Sequence, residues 1–208
     1  MVRPIYDARY QRLVDGLLLP AAIAGDPVLD FCNTRAGWGT PEPREYLAGY
    51  DVLTVWAREA ELIDASDATR LRRRAKRESA EAGRVLERAV ALRSAIYAAC
   101  TDRRASTAWE TVATEARAAG AAASLVPEAA PGRRWLIPES TGLDQPLFEL
   151  AWAAGAFLDS ADLRLVGRCP GTDCGWLFLD RRGRRRWCTM AVCGNRAKAR
   201  RHTQKARG

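Results

Sequence analysis

The chain has 208 residues, enough for one core-bearing domain of roughly 160 residues plus a small appendage, and no apolar run approaches the roughly 20 residues of a membrane span. Its formal charge of +8 is unevenly spread: residues 1–163 hold 20 Lys/Arg against 23 Asp/Glu, net −3, whereas residues 164–208 hold 13 against 2, net +11. Of the 33 basic residues 30 are arginine, so arginine alone is a weak signal, but a uniform arginine bias does not explain the near loss of acidic residues from the tail.

Met1–Asp7 lacks the basic, apolar and cleavage segments of a secretory leader, so a soluble, cytoplasmic protein is expected. In a reducing compartment, closely paired cysteines favour a metal over disulfides, and the unpaired Cys32 and Cys100 are expected as buried thiols.

In chain order, the apolar run Leu13–Leu19, the interruption at Pro20 and the segment Val28–Arg35 after Gly25-Asp26-Pro27 predict two strands around a turn. Residues 36–43 are turn-rich. Tyr46, Leu47, Tyr50, Leu53, Val55, Trp56 and Leu62 predict a helix that buries its aromatic side. Ser66-Asp67 is placed to cap one long helix with the stripe Leu71, Ala75, Ala82, Val85, Ala89, Leu92, Ile96 and Ala99. The cluster Arg72, Arg73, Arg74, Lys76 and Arg77 on its outer face has Glu78, Glu81 and Glu87 within helical reach and is expected as a solvated face. A further helix is expected over Thr107–Gly120, a short strand over Arg133–Pro138, and a buried helix from Asp144 through Leu163, with Pro146 in its first turn. The fold class is therefore α+β, a helix-rich first domain with a small sheet over 1–163, followed by a metal-built module over 164–208.

That module carries the chemistry. Cys169 and Cys174 bracket four residues, as do Cys188 and Cys193, and thirteen residues separate the pairs. Each pair can aim both thiolates at one tetrahedral ion, and four thiolates leave no open position, so one structural Zn2+ is expected rather than a catalytic metal. Between the pairs, Gly175–Asp180 and Arg184–Trp187 around Gly183 predict a hairpin, and a helix is expected to start near Met190. Knuckle, hairpin and ligand-bearing helix describe a treble-clef zinc finger. Trp176, Phe178 and Trp187 would form a mini-core that needs the metal as a staple.

Arg181, Arg182, Arg184, Arg185, Arg186, Asn195, Arg196, Lys198, Arg200, Arg201 and Lys205 are the candidate nucleic-acid contacts, because a dense basic surface releases counterions from phosphates whatever the bases are. Asn195 can pair with adenine or cap the backbone. In the first domain, Asn33, Thr34 and Arg35, with Arg93 on the apolar side of the long helix, are candidates for an acidic ligand. Strand-end hydrogen bonding and an ion pair are the competing roles.

From Cys174-Gly-Trp-Leu-Phe-Leu-Asp180 through Cys188-Thr-Met-Ala-Val-Cys193-Gly-Asn-Arg-Ala-Lys198 the chain closely resembles the CGNR zinc finger family. Asp26-Pro-Val-Leu-Asp-Phe-Cys-Asn-Thr-Arg35 resembles the opening motif of the ABATE domain that accompanies this finger. The resemblance implies a bacterial stress-induced transcription regulator with a ligand-binding first domain and a DNA-binding finger whose zinc ligands are Cys169, Cys174, Cys188 and Cys193. Cys32 departs from the family pattern, where an apolar residue such as valine is expected.

The leading expectation is thus a zinc-finger regulator that binds double-stranded DNA, nucleoid-associated, modulated by a small acidic ligand or by homodimerisation. RNA binding, through base stacking on Trp176, Phe178 or Trp187, and a protein-interaction finger are the alternatives. Enzyme activity is not expected, because the single histidine, His202, lies in the basic tail without a neighbouring acid.

Overall fold

The computed structural model describes residues 9–102, 104–127 and 133–205; Met1–Asp7 and Pro131 lie outside them. The chain folds as two compact units. One combines the chain up to Tyr46 with the chain from Ala161 onward, and the other is Leu47–Ser160. The composition changes at 163/164, but packing groups the cysteine-bearing tail with the first 46 residues. The class is α+β, helix-rich with small antiparallel ladders.

The first unit opens with strands β1 (Gln11–Val14) and β2 (Leu17–Pro20), paired antiparallel with Val14 opposite Leu17. Asp15 and Gly16 turn the chain at φ of 51° and 77°. Pro20 ends β2 rather than separating two strands. The expected second strand is instead a short helix, α1 (Pro27–Cys32). Asp26 caps it, its carboxylate accepting the Val28 N–H at 2.8 Å, and Pro27 occupies the first turn. Cap and proline together outweigh the strand preference of Val28 and Phe31. Asp30 accepts the N–H groups of Ile23 and Ala24, both at 2.9 Å, and so fixes the incoming chain. The two-residue strands β3 (Arg35–Ala36) and β4 (Arg44–Glu45) close the turn-rich segment between them.

The second unit is built on α2 (Tyr50–Glu59), α3 (Ala65–Arg77), α4 (Ser79–Thr101), α5 (Ser106–Ala122) and α6 (Gln145–Asp159). Its hairpin pairs β5 (Ser124–Pro127) with β6 (Arg133–Leu136). The single long helix expected after residue 66 is two, broken at Glu78 (φ −118°, ψ 52°). No residue between Leu71 and Ala82 is buried, so no packing holds the helix continuous across that stretch. The cap is Asp64, whose carboxylate accepts the Asp67 N–H at 2.8 Å, and not Ser66-Asp67. Leu71, Val85, Ala89, Leu92 and Ile96 are fully buried, as the stripe requires. No described helix is long and apolar enough to cross a membrane.

The chain then returns to the first unit. Strand β7 (Val166–Arg168) pairs with β8 (Leu177–Leu179), Gly167 opposite Phe178. The expected hairpin of 175–180 with 184–187 does not form. Its first arm pairs backwards with β7, and residues 181–186 are a loop, because the Asp180 carboxylate accepts the N–H groups of Arg184 and Arg185 at 2.9 and 3.0 Å. One π turn (Met190–Gly194) leads into α7 (Asn195–Lys205), close to the expected helix start.

Candidate metal centre and basic surface

Each cysteine pair is aimed by local backbone. Cys169 follows β7, and its N–H donates to the Trp176 carbonyl at 2.8 Å, closing the knuckle. The Cys174 N–H returns to Gly171 at 3.1 Å. A Cβ at Gly171 would lie 3.0 Å from the Cys193 sulfur and 3.2 Å from the Cys174 Cβ, so only glycine lets the knuckle backbone approach the sulfurs this closely. Gly175 then turns at φ 71°, which delivers β8. Of the second pair, Cys188 precedes the π turn and Cys193 lies within it, with the Thr189 hydroxyl capping Ala191.

The four sulfurs lie within 4.8 Å of one another, all on buried residues. Cys174 Sγ is 3.6 Å from Cys188 Sγ, which is 3.7 Å from Cys193 Sγ. Zinc–sulfur bonds of about 2.3 Å arranged as a tetrahedron set its edges at about 3.8 Å, whereas a disulfide would need about 2.05 Å. The cage therefore fits one structural zinc ion. Without a cation, Cys169 is drawn down, chiefly by hydrogen bonds from Cys174 and then Cys188 and Cys193, while Cys174 and Cys188 are driven up, chiefly by Cys169. Crowded sulfurs cannot all ionise without a cation among them.

The side chains around the cage come from both ends of the chain. The hydroxyl of Tyr10 is 2.8 Å from Cys193 Sγ, and burial, then the hydrogen bond to Cys193, raises its pKa, so it remains the donor. The ring of Tyr10 meets Trp176 edge-on, centroids 5.1 Å apart. Gly37 and Trp38 both donate to the Cys174 carbonyl, at 3.0 and 3.2 Å. Tyr46 joins Trp176, Phe178 and the four cysteines in one buried cluster, with Leu18, Ile23, Ala36, Trp38 and Trp187 packed against it. The expected mini-core is real but incomplete without residues 10–46.

Asn33 joins this framework. Its side chain accepts the Leu177 N–H at 2.8 Å and donates to the Leu177 carbonyl at 2.9 Å, a two-point clamp on β8 at zero exposure. Thr34 donates to the Phe31 carbonyl at 2.7 Å. The Arg35 carbonyl accepts the Trp176 indole N–H at 3.0 Å, and its guanidinium lies 4.9 Å from the Trp38 ring. Arg93, fully buried on α4, belongs to the other unit. Cys32 is buried and Cys100 only half-buried.

Among the basic candidates, Arg181, Arg182, Arg184, Arg186, Arg196, Lys198, Arg200 and Arg201 are exposed. Arg185 is not. Its guanidinium stacks 4.6 Å from the Phe178 ring and donates to the carbonyls of Cys188 (2.6 Å), Ile23 (3.0 Å), Leu179 (3.4 Å) and Ala24 (3.5 Å). It staples the second cysteine pair to the chain before α1. Asn195 is also exposed, and its amide N–H donates to the Ala191 carbonyl at 3.2 Å. The side chain of Lys205 lies outside the described residues. Trp176 and Phe178 are 1% and 2% exposed, which removes them as stacking platforms, while Trp187 is half-buried.

A zinc tetrathiolate carries a formal charge of −2, so part of the surrounding arginine balances the centre itself. Among the described residues of the exposed set, Arg181 pairs with Asp162 at 2.6 Å and Arg200 lies 3.9 Å from Asp173.

Residues 165–206 match the CGNR zinc finger family model. Residues 25–161 match the ABATE family model, described as "Putative stress-induced transcription regulator". No curated protein matches the chain.

Proposed function

The chain belongs to the ABATE family, whose model spans residues 25–161, and it carries a CGNR zinc finger at 165–206; from that premise we propose that it regulates transcription by binding double-stranded DNA through the finger. The observation that carries the proposal is the exposed basic surface of one metal-built unit: Arg181, Arg182 and Arg184 in the loop, Arg186 beside it, and Arg196, Lys198, Arg200 and Arg201 on α7. Such a surface gains its affinity from displaced counterions. Arg185 does not belong to that surface, because its guanidinium is bonded to backbone carbonyls, whereas Asn195 is exposed and has its amide oxygen to offer. Burial of Trp176 and Phe178 counts against single-stranded RNA as the main partner.

The test is fluorescence anisotropy of the zinc-loaded full-length chain on a labelled duplex across a salt series. The plot of log affinity against log salt should fall with a slope of about −0.9 for each phosphate engaged. Replacing Arg181, Arg182 and Arg184 together with alanine should reduce that slope by about 2 to 3. Duplex binding absent even at low salt, or a slope unmoved by the triple variant, would overturn the proposal, as would single-stranded RNA that displaces duplex at equal nucleotide concentration.

A further inference from the structure

A cleft of about 260 Å3 lies between the zinc knuckle and α7. It is lined by Pro170–Cys174 of the knuckle, by Arg196, Ala197, Arg200, Arg201 and Gln204 of α7, and by Arg186 and Trp187. It is not the metal cage: only Cys174 and Cys193 of the four ligands border it, and it extends to Gln204, almost the full length of α7.

Three features constrain the occupant. Arg186, Arg196, Arg200 and Arg201 line a single small space against one carboxylate, Asp173, which calls for an anion of more than one charge. Trp187 supplies a flat, half-buried aromatic wall with the Arg186 guanidinium 5.5 Å from its ring, so a planar ring system can be stacked beside the anion. Thr172, Asp173 and Gln204 add neutral and acidic hydrogen-bonding groups that can meet ring edges. The volume is slightly below the roughly 300–1,000 Å3 of sites for drug-sized ligands, so one ring and one phosphate suit it and a larger ligand does not.

We infer that this cleft is a binding site for a single nucleotide unit, with the phosphate held by the arginines of α7 and the base set against Trp187. The inference rests on the nucleic-acid reading of the finger only for the class of ligand. A base paired within a duplex cannot enter such a cleft, so the occupant is a free nucleoside monophosphate or the unpaired end of a strand. Arg200 already donates to the Thr172 hydroxyl, and Arg196 lies 5.7 Å from the Tyr10 ring, so two of the guanidiniums are held at the cleft before anything binds.

The experiment is calorimetric titration of the zinc-loaded full-length chain with the four common nucleoside 5′-monophosphates, inorganic phosphate, adenosine and citrate, one at a time. At least one monophosphate should bind tenfold or more tightly than phosphate, adenosine or citrate, since stacking one base is worth about tenfold or more. Arg201→Ala should weaken the monophosphate at least fivefold. Trp187→Phe should keep its advantage over phosphate, and Trp187→Ala should abolish it, with zinc content and circular dichroism verifying the fold of each variant. If Trp187→Ala fails to fold, Arg201→Ala and Trp187→Phe still decide. A 5′-phosphorylated trinucleotide that displaces the monophosphate identifies a strand end, and one that does not identifies the free nucleotide. Phosphate or citrate binding as tightly as every monophosphate overturns the inference, as does affinity unchanged in Arg201→Ala. The Arg181/Arg182/Arg184 triple alanine variant lies outside the cleft and should leave monophosphate binding intact. Loss of nucleotide binding with duplex binding preserved therefore sinks this site alone.

Discussion

Asn33 clamps strand β8 of the finger. Both of its polar atoms are spent on Leu177, with no exposure to water, so Asn33→Ala strands a buried N–H and a buried carbonyl. The cost is expected at about 2–5 kcal/mol, read from urea unfolding of the zinc-loaded protein; a change below 1 kcal/mol would mean the clamp is dispensable. Asp30 tests the electrostatics of the same unit. Burial pushes its carboxyl up to about 6, against the lowering by its backbone hydrogen bonds to Ala24 and Ile23. A raised folded-state value means that the native state binds the proton more tightly, so this group's stabilisation is complete below pH 4 and lost as pH rises through 6. Asp30→Asn keeps an oxygen for both N–H groups and removes the charge. The difference in melting temperature between variant and parent should therefore move in the variant's favour from pH 4 to pH 7; a constant difference would show that Asp30 is not shifted.

At the scale of elements, the cysteine-bearing tail is not a self-sufficient piece. Its core is completed by Tyr10, Leu18, Ile23, Trp38 and Tyr46, and burying a large apolar side chain is worth about 1.5–3 kcal/mol. A peptide of residues 164–208 should bind zinc yet show poorly dispersed amide resonances, whereas the full chain should show dispersed signals for Trp176 and Phe178; a well-dispersed peptide spectrum would refute this. The elements that differ from the sequence reading do so for different reasons. Val28–Cys32 has a strand-like run of apolar residues, but Asp26 and Pro27 impose a helix start, a signal that was present in the sequence and outweighed by hydropathy. Leu177–Leu179 of the expected first arm is extended, but its partner is Val166–Arg168 and not Arg184–Trp187, and strand partnership is decided by which chain segment lies alongside. The break at Glu78 carries no proline or glycine, and shows in the sequence only as a gap in the buried stripe.

For the whole molecule, the metal belongs to one unit and most of the helix to the other. A strong chelator should abolish duplex binding and the order around β7, β8 and α7, while the far-ultraviolet helix signal of α2–α6 largely persists; loss of that signal in step with zinc would contradict this partition. The four zinc ligands, the charge gradient and the helix-rich class were legible in the sequence because each depends on spacing or composition within a short stretch, and two four-residue brackets suffice to shape a thiolate cage. Which arginines face solvent was not legible: Arg185 is chemically identical to Arg184 and Arg186, and only the carbonyls of Ile23, Ala24, Leu179 and Cys188 gathered around it turn it inward. The same holds for Asn33 and Tyr10, whose partners lie 144 and 183 residues away, contacts that the chain must fold to bring together.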